Sequence, residues 1–187
     1  MCTQRVLETD RLRLRWPELA DAPAIAALAG DQRVAATTLN IPHPYHTDSA
    51  VVWLQNIIES RRLGHNDQTF VILRKPDDML IGAIGIRPEA KYKRAEIGYW
   101  VGVSYWNQGY MTEAVRRILH FGFDELDLNR INASYFTNNP ASARVMQKTG
   151  MTFEGIMRQH IYKWNQFIDL GFYSILKSEF EAQRTES

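Results

Sequence analysis

The stretch of residues 96–113 constrains the fold more than any other part of the chain, because a strand pattern passes directly into a helix pattern there. Every second residue in its first half is apolar, as a strand with one face on a core requires: Ile97, Tyr99, Val101 and Val103. We therefore predict a strand that ends near Val103. Apolar residues then recur at helical spacing and predict an amphipathic helix: Met111, Ala114, Val115, Ile118, Gly122 and Leu126.

The turn between this strand and this helix has the properties of an anion site. Residues 106–112 include no proline, so each offers a backbone N–H, and Gly109 permits a positive φ or the close approach of a ligand. The first N–H groups of a helix are unpaired, and its dipole places about half a positive charge there. A phosphate group suits such a site, although many strand–turn–helix units of this kind bind nothing.

Composition limits the class of protein and of partner. The 187 residues suit one domain, 1–187, and 45% hydrophobic with 23% charged residues fits a globular protein. A net charge of +1 argues against nucleic acid as a direct partner. Cys2 is the single cysteine, so no disulfide can form within the chain. The charged N-terminus and the lack of a long apolar run predict a cytoplasmic protein with no membrane partner.

Further strands and helices are predicted on both sides of this unit. The predicted strands are residues 11–16, a hairpin of 70–73 and 80–86, and then 131–136, 151–157 and 167–176. The predicted helices are residues 18–29, a segment from Thr47 or Asp48 to about Leu63, and a segment capped by Asn139 that ends at Gly150. Two prolines predict an exposed loop at residues 39–46, and the polar chain beyond Lys177 is expected to fray. Together these elements predict a mixed, largely antiparallel sheet covered by helices, in the α/β (α+β) class.

Two blocks of residues resemble a known superfamily. Residues 106–111 resemble the Gln/Arg-x-x-Gly-x-Gly/Ala signature of the GNAT N-acetyltransferases, and residues 95–114 resemble its RimJ/RimL-type branch, which acetylates the N-termini of ribosomal proteins. A second block resembles the Asn-x-x-Ser helix, Lys-x-Gly-Phe turn and Glu-Gly strand of that branch: residues 139–142, 145–151, 154–155 and Arg158. The resemblance covers most of the chain, in the order of the family.

The resemblance implies a fold and a co-substrate. It implies a GNAT-like sheet in which the strand before the turn and the strand after the long helix splay apart and admit the pantetheine arm of acetyl-CoA. Backbone groups of Val101 and Val103 would pair with that arm. The implied pyrophosphate ligands are the backbone amides of Asn107, Gln108, Gly109, Tyr110, Met111 and Thr112.

The resemblance also implies catalytic residues, each of which has a structural alternative. Glu96 would be the general base, unless it merely forms an ion pair with Arg94 or Lys91. The Ser142 hydroxyl would donate to the departing thiolate, and Asn139 and Ser142 would both contact coenzyme A, unless they only cap their helix.

Three positions depart from the family pattern. Trp106 stands where the signature has Gln or Arg, although the ribosomal branch commonly has Trp, and Met111 stands where Gly or Ala is usual. The glutamate that some ribosomal-protein acetylases carry near the position of Ile161 is missing, and His160 is another candidate base. The sequence offers no defensible metal site, because His43 and His46 have no third ligand.

The predicted function is acetyl-CoA-dependent N-acetyl transfer, directly to a primary amine. A protein N-terminal α-amino group is the leading acceptor. A polyamine or aminoglycoside acceptor, or a noncatalytic acyl-CoA-binding domain, are the alternatives. Edge strands in such a fold can support a homodimer, and the sequence leaves the oligomeric state open.

Overall fold

The structure is a computed structural model that describes residues 5–65 and 68–185. Cys2 lies outside the described residues. Eight strands form one sheet: β1 (Val6–Glu8), β2 (Leu12–Arg15), β3 (Gln68–Arg74), β4 (Met79–Glu89), β5 (Arg94–Val101), β6 (Arg130–Phe136), β7 (Thr152–Lys163) and β8 (Gln166–Leu176). Their order is β1-β2-β3-β4-β5-β6-β8-β7, and each neighbouring pair is antiparallel except β5 and β6. The predicted mixed, mostly antiparallel sheet is confirmed.

In the described part of the chain, six α-helices connect or cover the strands: α1 (Ala22–Ala29), α2 (Gln32–Ala35), α3 (Thr47–Arg62), α4 (Tyr110–His120), α5 (Pro140–Lys148) and α6 (Lys177–Thr185). A π-helical turn, Phe121–Glu125, extends α4. Asn139 caps α5 as predicted, since its side chain accepts a hydrogen bond from the Ser142 N–H and Pro140 follows at the first helical position.

The helices lie on both faces of the sheet. Phe70 and Ile72 belong to a large apolar cluster with α4 and α5, whereas Val71 and Leu73 belong to a second cluster with α1 and α3. Because successive residues of a strand point to opposite faces, the two clusters lie on opposite sides of the sheet. We call them the α4 face and the α1 face.

The parallel pair β5–β6 is short and opens into a cleft. The two strands pair at four positions only, from Arg94 opposite Arg130 to Ile97 opposite Ala133. Beyond these positions β5 continues to Val101 and β6 to Phe136 without pairing to each other. The splayed strand pair that the resemblance implied is therefore present.

Several predicted boundaries are wrong. The strand predicted to end near Val103 ends at Val101, because the Gly102 N–H bonds to the Ile81 oxygen at 2.9 Å and a 3-10 turn, Val103–Tyr105, follows. Helix α3 begins at Thr47 and His46 is its N-cap residue, so the predicted caps Thr47 and Asp48 lie inside the helix. Strand β1 and the one-turn helix α2 had no clear sequence signal.

The chain after Lys177 does not fray as predicted. It forms α6, whose Phe180 is 6% exposed and stacks on Phe123 with 4.8 Å between ring centroids. The apolar contact outweighs the polar composition of this helix. Across residues 5–65 and 68–185, no helix combines the length and the apolar character needed to span a membrane.

Candidate active site

The turn predicted to bind phosphate lies at the open end of the β5–β6 cleft. Two of its residues have positive φ, Asn107 at 59° and Gly109 at 79°, and Gly109 is the N-cap residue of α4. The N–H groups of Tyr110, Met111 and Thr112 are thus in the first turn of the helix, where an α-helix leaves its amides without partners in its own backbone. Met111 is 7% exposed and belongs to the apolar cluster of the α4 face, so its side chain packs in the core.

An open cavity of about 590 Å³ adjoins this turn. Gly109 and Thr112 line it together with four cationic side chains: Arg11, Arg116, Arg117 and Lys148. Three acidic residues, Glu8, Asp10 and Glu113, also line it, and Glu113 is ion-paired with Arg11 at 2.6 Å. The cationic side chains and the helix terminus together suit an anionic ligand.

The open edge of β5 offers unpaired backbone groups to the cleft. Each residue of a strand directs its backbone N–H and C=O to the same neighbouring strand, and the next residue directs them to the strand on the other side. Gly102 bonds towards β4, so Tyr99 and Val101 direct their backbone groups towards the β6 side, where pairing has stopped. These groups can pair with an amide-bearing chain that lies in the cleft.

Two structural details bear on the predicted pantetheine partners. The Trp106 indole N–H donates to the Val101 carbonyl oxygen at 2.8 Å, so the residue that departs from the signature fastens the turn to the end of β5. The Val103 carbonyl oxygen accepts from the Trp106 N–H at 3.1 Å within the 3-10 turn. The Val101 N–H therefore offers the more accessible group of the two residues.

Ser142 lies beside the cleft on the α4 face. Its Oγ is 3.0 Å from Tyr99 Oη, where either hydroxyl can be the donor, and the Ser142 carbonyl oxygen, 3.3 Å from Tyr99 Oη, is an alternative acceptor for the tyrosine proton. Burial raises the pKa of the Tyr99 hydroxyl, so this group stays protonated and able to donate. Asn139 is one helical turn away and is occupied with capping the Ser142 N–H at 3.3 Å.

Glu96 lies on the other side of the sheet. Tyr99 packs against the cluster of the α4 face and Trp100 against that of the α1 face, so strand alternation places Glu96 on the α1 face. Its carboxylate pairs with Arg87 of β4 at 3.1 Å. The ion pair considered from the sequence, with Arg94 or Lys91, is therefore not the one that forms. Arg94 instead pairs with Glu89 at 2.9 Å. Glu96 is two residues before the point where the cleft opens.

The two predicted catalytic side chains therefore flank the cleft from opposite faces of the sheet. The structure brings Ser142 and Asn139 together and keeps Glu96 apart from both. Direct acyl transfer has this geometric requirement: a base accepts the proton of an amine that approaches from one side, while an acid meets the leaving group on the other.

The histidines are dispersed. His160 lies on β7, exposed, with its ring 6.4 Å from that of Phe172, and His43 lies next to Trp164 at 6.5 Å between ring centroids. Among the residues that the structure describes, no three His, Cys, Asp or Glu side chains form a group able to hold a metal ion.

Sequence reasoning missed two residues at or beside the site and one long-range contact elsewhere. Tyr99 was interpreted only as a core residue of the strand, Arg11 only as part of the polar face of a strand, and Lys163 was given no role. Lys163 donates to carbonyl oxygens at the end of α2 and in the following loop, including Ala35 at 2.7 Å and Ile41 at 3.2 Å. No local pattern could reveal these contacts, because they join segments about 40 to 130 residues apart.

Comparison with known proteins finds a matching family and similar sequences. The family described as acetyltransferase (GNAT) domain matches residues 11–152. The uncharacterised N-acetyltransferase YoaA of Bacillus subtilis (strain 168) is 34% identical over 177 residues, which cover 92% of this chain and 97% of YoaA. The putative ribosomal N-acetyltransferase YdaF of the same strain is 29% identical, over 98% of this chain and 100% of YdaF.

A solved structure shares the fold with little sequence identity. RimL, a ribosomal L7/L12 alpha-N-protein acetyltransferase, in complex with coenzyme A, aligns with a TM-score of 0.83 over 92% of this chain and 98% of RimL. Its sequence identity is 20%, so this likeness concerns the fold.

Proposed function

The chain belongs to the GNAT acetyltransferase family, and from that premise we propose that it acetylates the α-amino group of a protein N-terminus. It is an acetyl-CoA-dependent N-acetyltransferase. The observation that carries the proposed mechanism is the β5–β6 cleft, with the Glu96 carboxylate on one face and the Ser142 hydroxyl on the other.

The residues of the site fit acetyl-CoA, which supplies an acetyl group activated as a thioester. The edge of β5 at Tyr99 and Val101 offers backbone groups to the amides of the pantetheine arm. The amides of residues 107–112 and the cationic side chains of the adjoining cavity offer positive potential to the diphosphate. A backbone cradle of this kind positions the donor without a metal ion.

Two side chains handle the protons in this proposal. The Ser142 hydroxyl donates a hydrogen bond to the departing thiolate sulfur and stabilises its charge, and the Tyr99 hydroxyl, 3.0 Å away, orients Ser142 by donating to its Oγ. Glu96 accepts the proton of the attacking amine, directly or through a water molecule. Its contact with Arg87 is exposed on both sides and leaves the second carboxylate oxygen for this role.

The acidic pair that the sequence offered does not favour a polycationic acceptor. A polyamine or aminoglycoside carries several positive charges, so its binding site would be expected to contain a cluster of unpaired acidic side chains. The acidic pair of the sequence, Asp77 and Asp78, lies in the β3–β4 turn, where Asp77 pairs with Arg74 of β3 and Asp78 with Arg13 of β2. The name of YdaF supports the same choice, since this relative is described as a putative ribosomal N-acetyltransferase.

An acceptor screen tests this proposal. Release of coenzyme A is measured with acetyl-CoA and three acceptor sets: peptides with free N-termini, the same peptides with blocked N-termini and a lysine, and polyamines with aminoglycosides. We expect turnover with the free N-termini only. Turnover with polyamines or aminoglycosides alone would assign the enzyme to small-molecule acetylation.

A further inference from the structure

Arg11, between β1 and β2, contacts the phosphate turn from the opposite end of the sequence. Its Nη1 donates to the Gln108 carbonyl oxygen at 3.1 Å, and its guanidinium lies 4.7 Å from the centroid of the Tyr110 ring. The residues are close only in the folded protein, since 97 positions separate Arg11 from Gln108. The proposed mechanism above uses Arg11 only as one of four cationic side chains of the cavity.

Glu113 in the first turns of α4 holds this guanidinium in place. Its Oε2 accepts from Arg11 Nε at 2.6 Å, and its Oε1 accepts from the Arg11 backbone N–H at 3.0 Å. Thr9 Oγ1 donates to the same Oε1 at 2.5 Å. Desolvation raises the pKa of the Glu113 carboxyl, but the hydrogen bonds from Thr9 and Arg11 outweigh it and the pKa is lowered. Glu113 is therefore charged at neutral pH and fixes the direction of the Arg11 side chain.

The bond from Arg11 to the Gln108 carbonyl determines the orientation of a peptide plane. In a trans peptide the C=O and the following N–H point in opposite directions. Because the Gln108 carbonyl points to Arg11, the Gly109 N–H points away from Arg11. Gly109 has a φ of 79° and, having no side chain, can adopt φ of either sign, so this plane is free to flip when its carbonyl is released. A flip would present a carbonyl oxygen where the phosphate site needs an N–H.

We propose that Arg11 is a positioning residue for the co-substrate, which locks the Gln108–Gly109 peptide with its N–H in the orientation that binds the diphosphate of coenzyme A. Arg11 also lines the cavity beside the turn and so adds positive charge near the same group. Glu113 and Thr9 hold Arg11 in turn. The inference rests on the proposed function, because it assumes that the turn binds this diphosphate.

Calorimetric titration with two ligands tests the inference. Coenzyme A and 3′-dephospho-coenzyme A share the diphosphate and differ in the ribose phosphate. For Arg11→Met we expect the Kd of both ligands to rise about tenfold, which is the size of a lost hydrogen bond to a charged group. Arg11→Lys keeps the charge but cannot bind Gln108 and Glu113 together, so we expect a smaller rise. Arg13→Met is the matched control, since Arg13 is two residues away and pairs with Glu8 and Asp78 instead.

Three results would overturn this role for Arg11. An unchanged Kd in Arg11→Met would do so, as would a lowered thermal unfolding midpoint with normal affinity, which indicates a purely structural role. A loss that occurs with coenzyme A and vanishes with 3′-dephospho-coenzyme A would make Arg11 a ligand of the ribose phosphate instead.

A second variant covers the case in which Arg11→Met does not fold. Glu113→Gln keeps the shape of the side chain and weakens its hydrogen bonds with Arg11. We therefore expect the Kd of both ligands to rise, but by less than in Arg11→Met. If the unmodified protein binds neither ligand, the proposed function itself fails, and this outcome is distinct from a failure of Arg11 alone.

Discussion

At the residue scale, the hydrogen bond between the Tyr99 and Ser142 hydroxyls determines where the Ser142 proton points. The two oxygens are 3.0 Å apart, and the raised pKa of Tyr99 keeps its hydroxyl a donor. If Tyr99 donates to Ser142 Oγ, then the proton of Ser142 is free to point into the cleft. The tyrosine thus orients the serine without itself contacting the reacting atoms.

Removal of the Tyr99 hydroxyl should therefore slow the chemical step. We expect Tyr99→Phe to lower kcat about fivefold, because a neutral hydrogen bond contributes about 1 kcal/mol. The KM for acetyl-CoA should stay close to its normal value. Steady-state kinetics with the best acceptor of the screen measures both. Tyr92→Phe, an exposed tyrosine before β5, is the control, and an equal loss in both variants would refute the role of Tyr99.

At the scale of the element, the turn and α4 form the unit that we propose to bind the co-substrate. Gly109 caps the helix in a left-handed conformation, and an ideal Cβ built there lies 3.4 Å from Arg11 Nη2, which is ordinary contact. A side chain at this position would consequently act through backbone strain and by obstructing the ligand, without a clash inside the protein.

Substitution of two glycines with similar backbone conformations distinguishes the effect of backbone strain from that of obstructing the ligand. Gly64 has nearly the same φ, 77°, and open space around it, in a turn after α3. Each of Gly109→Val and Gly64→Val should lower the free energy of unfolding by at least about 1 kcal/mol, because both force a β-branched residue into the left-handed region. Only Gly109→Val should weaken coenzyme A binding, by more than about tenfold. Denaturant unfolding and calorimetry measure the two quantities, and equal coenzyme A affinity in the two variants would contradict the site.

At the scale of the whole molecule, ion pairs join segments that are far apart in the sequence. Asp127, after the π-helical turn, binds Lys177 of α6 and Lys93 of the β4–β5 connection, each at 2.8 Å. Hydrogen bonds from Lys177 and Lys93 lower its pKa to about 2. The folded protein thus binds the Asp127 proton more weakly than the unfolded chain does.

This shift predicts a pH dependence of stability. A carboxyl whose pKa is lower in the folded state stabilises the fold above its unfolded pKa, about 3.9, and loses that contribution as the pH falls towards about 2. Asp127→Asn should therefore lower the urea midpoint at pH 7 and low salt, and have little effect near pH 2. The control Glu181→Gln alters an exposed carboxylate of α6. A deficit in Asp127→Asn that is as large near pH 2 as at pH 7 would show that the charge is not responsible.

Local chemistry in the sequence determined the kinds of elements and the position of the phosphate turn. Gly109 at the start of α4, Asn139 with Pro140 at the start of α5, and the turn after Arg74 each have a local physical cause, and each lies where it was predicted. The splayed cleft was implied by resemblance, since no periodicity shows where two strands stop pairing.

Only the tertiary structure decided which side chains meet. The register of β4 and β5 places Arg87 opposite Glu96, so the cross-strand arginine pairs with this carboxylate in place of its sequence neighbours. Burial of Phe180 against Phe123 makes a helix of a polar tail. Arg11 reaches the phosphate turn because β2 lies beside α4 in the folded chain. Such contacts depend on register and packing between segments far apart in the chain, and these are properties that a local pattern of residues does not contain.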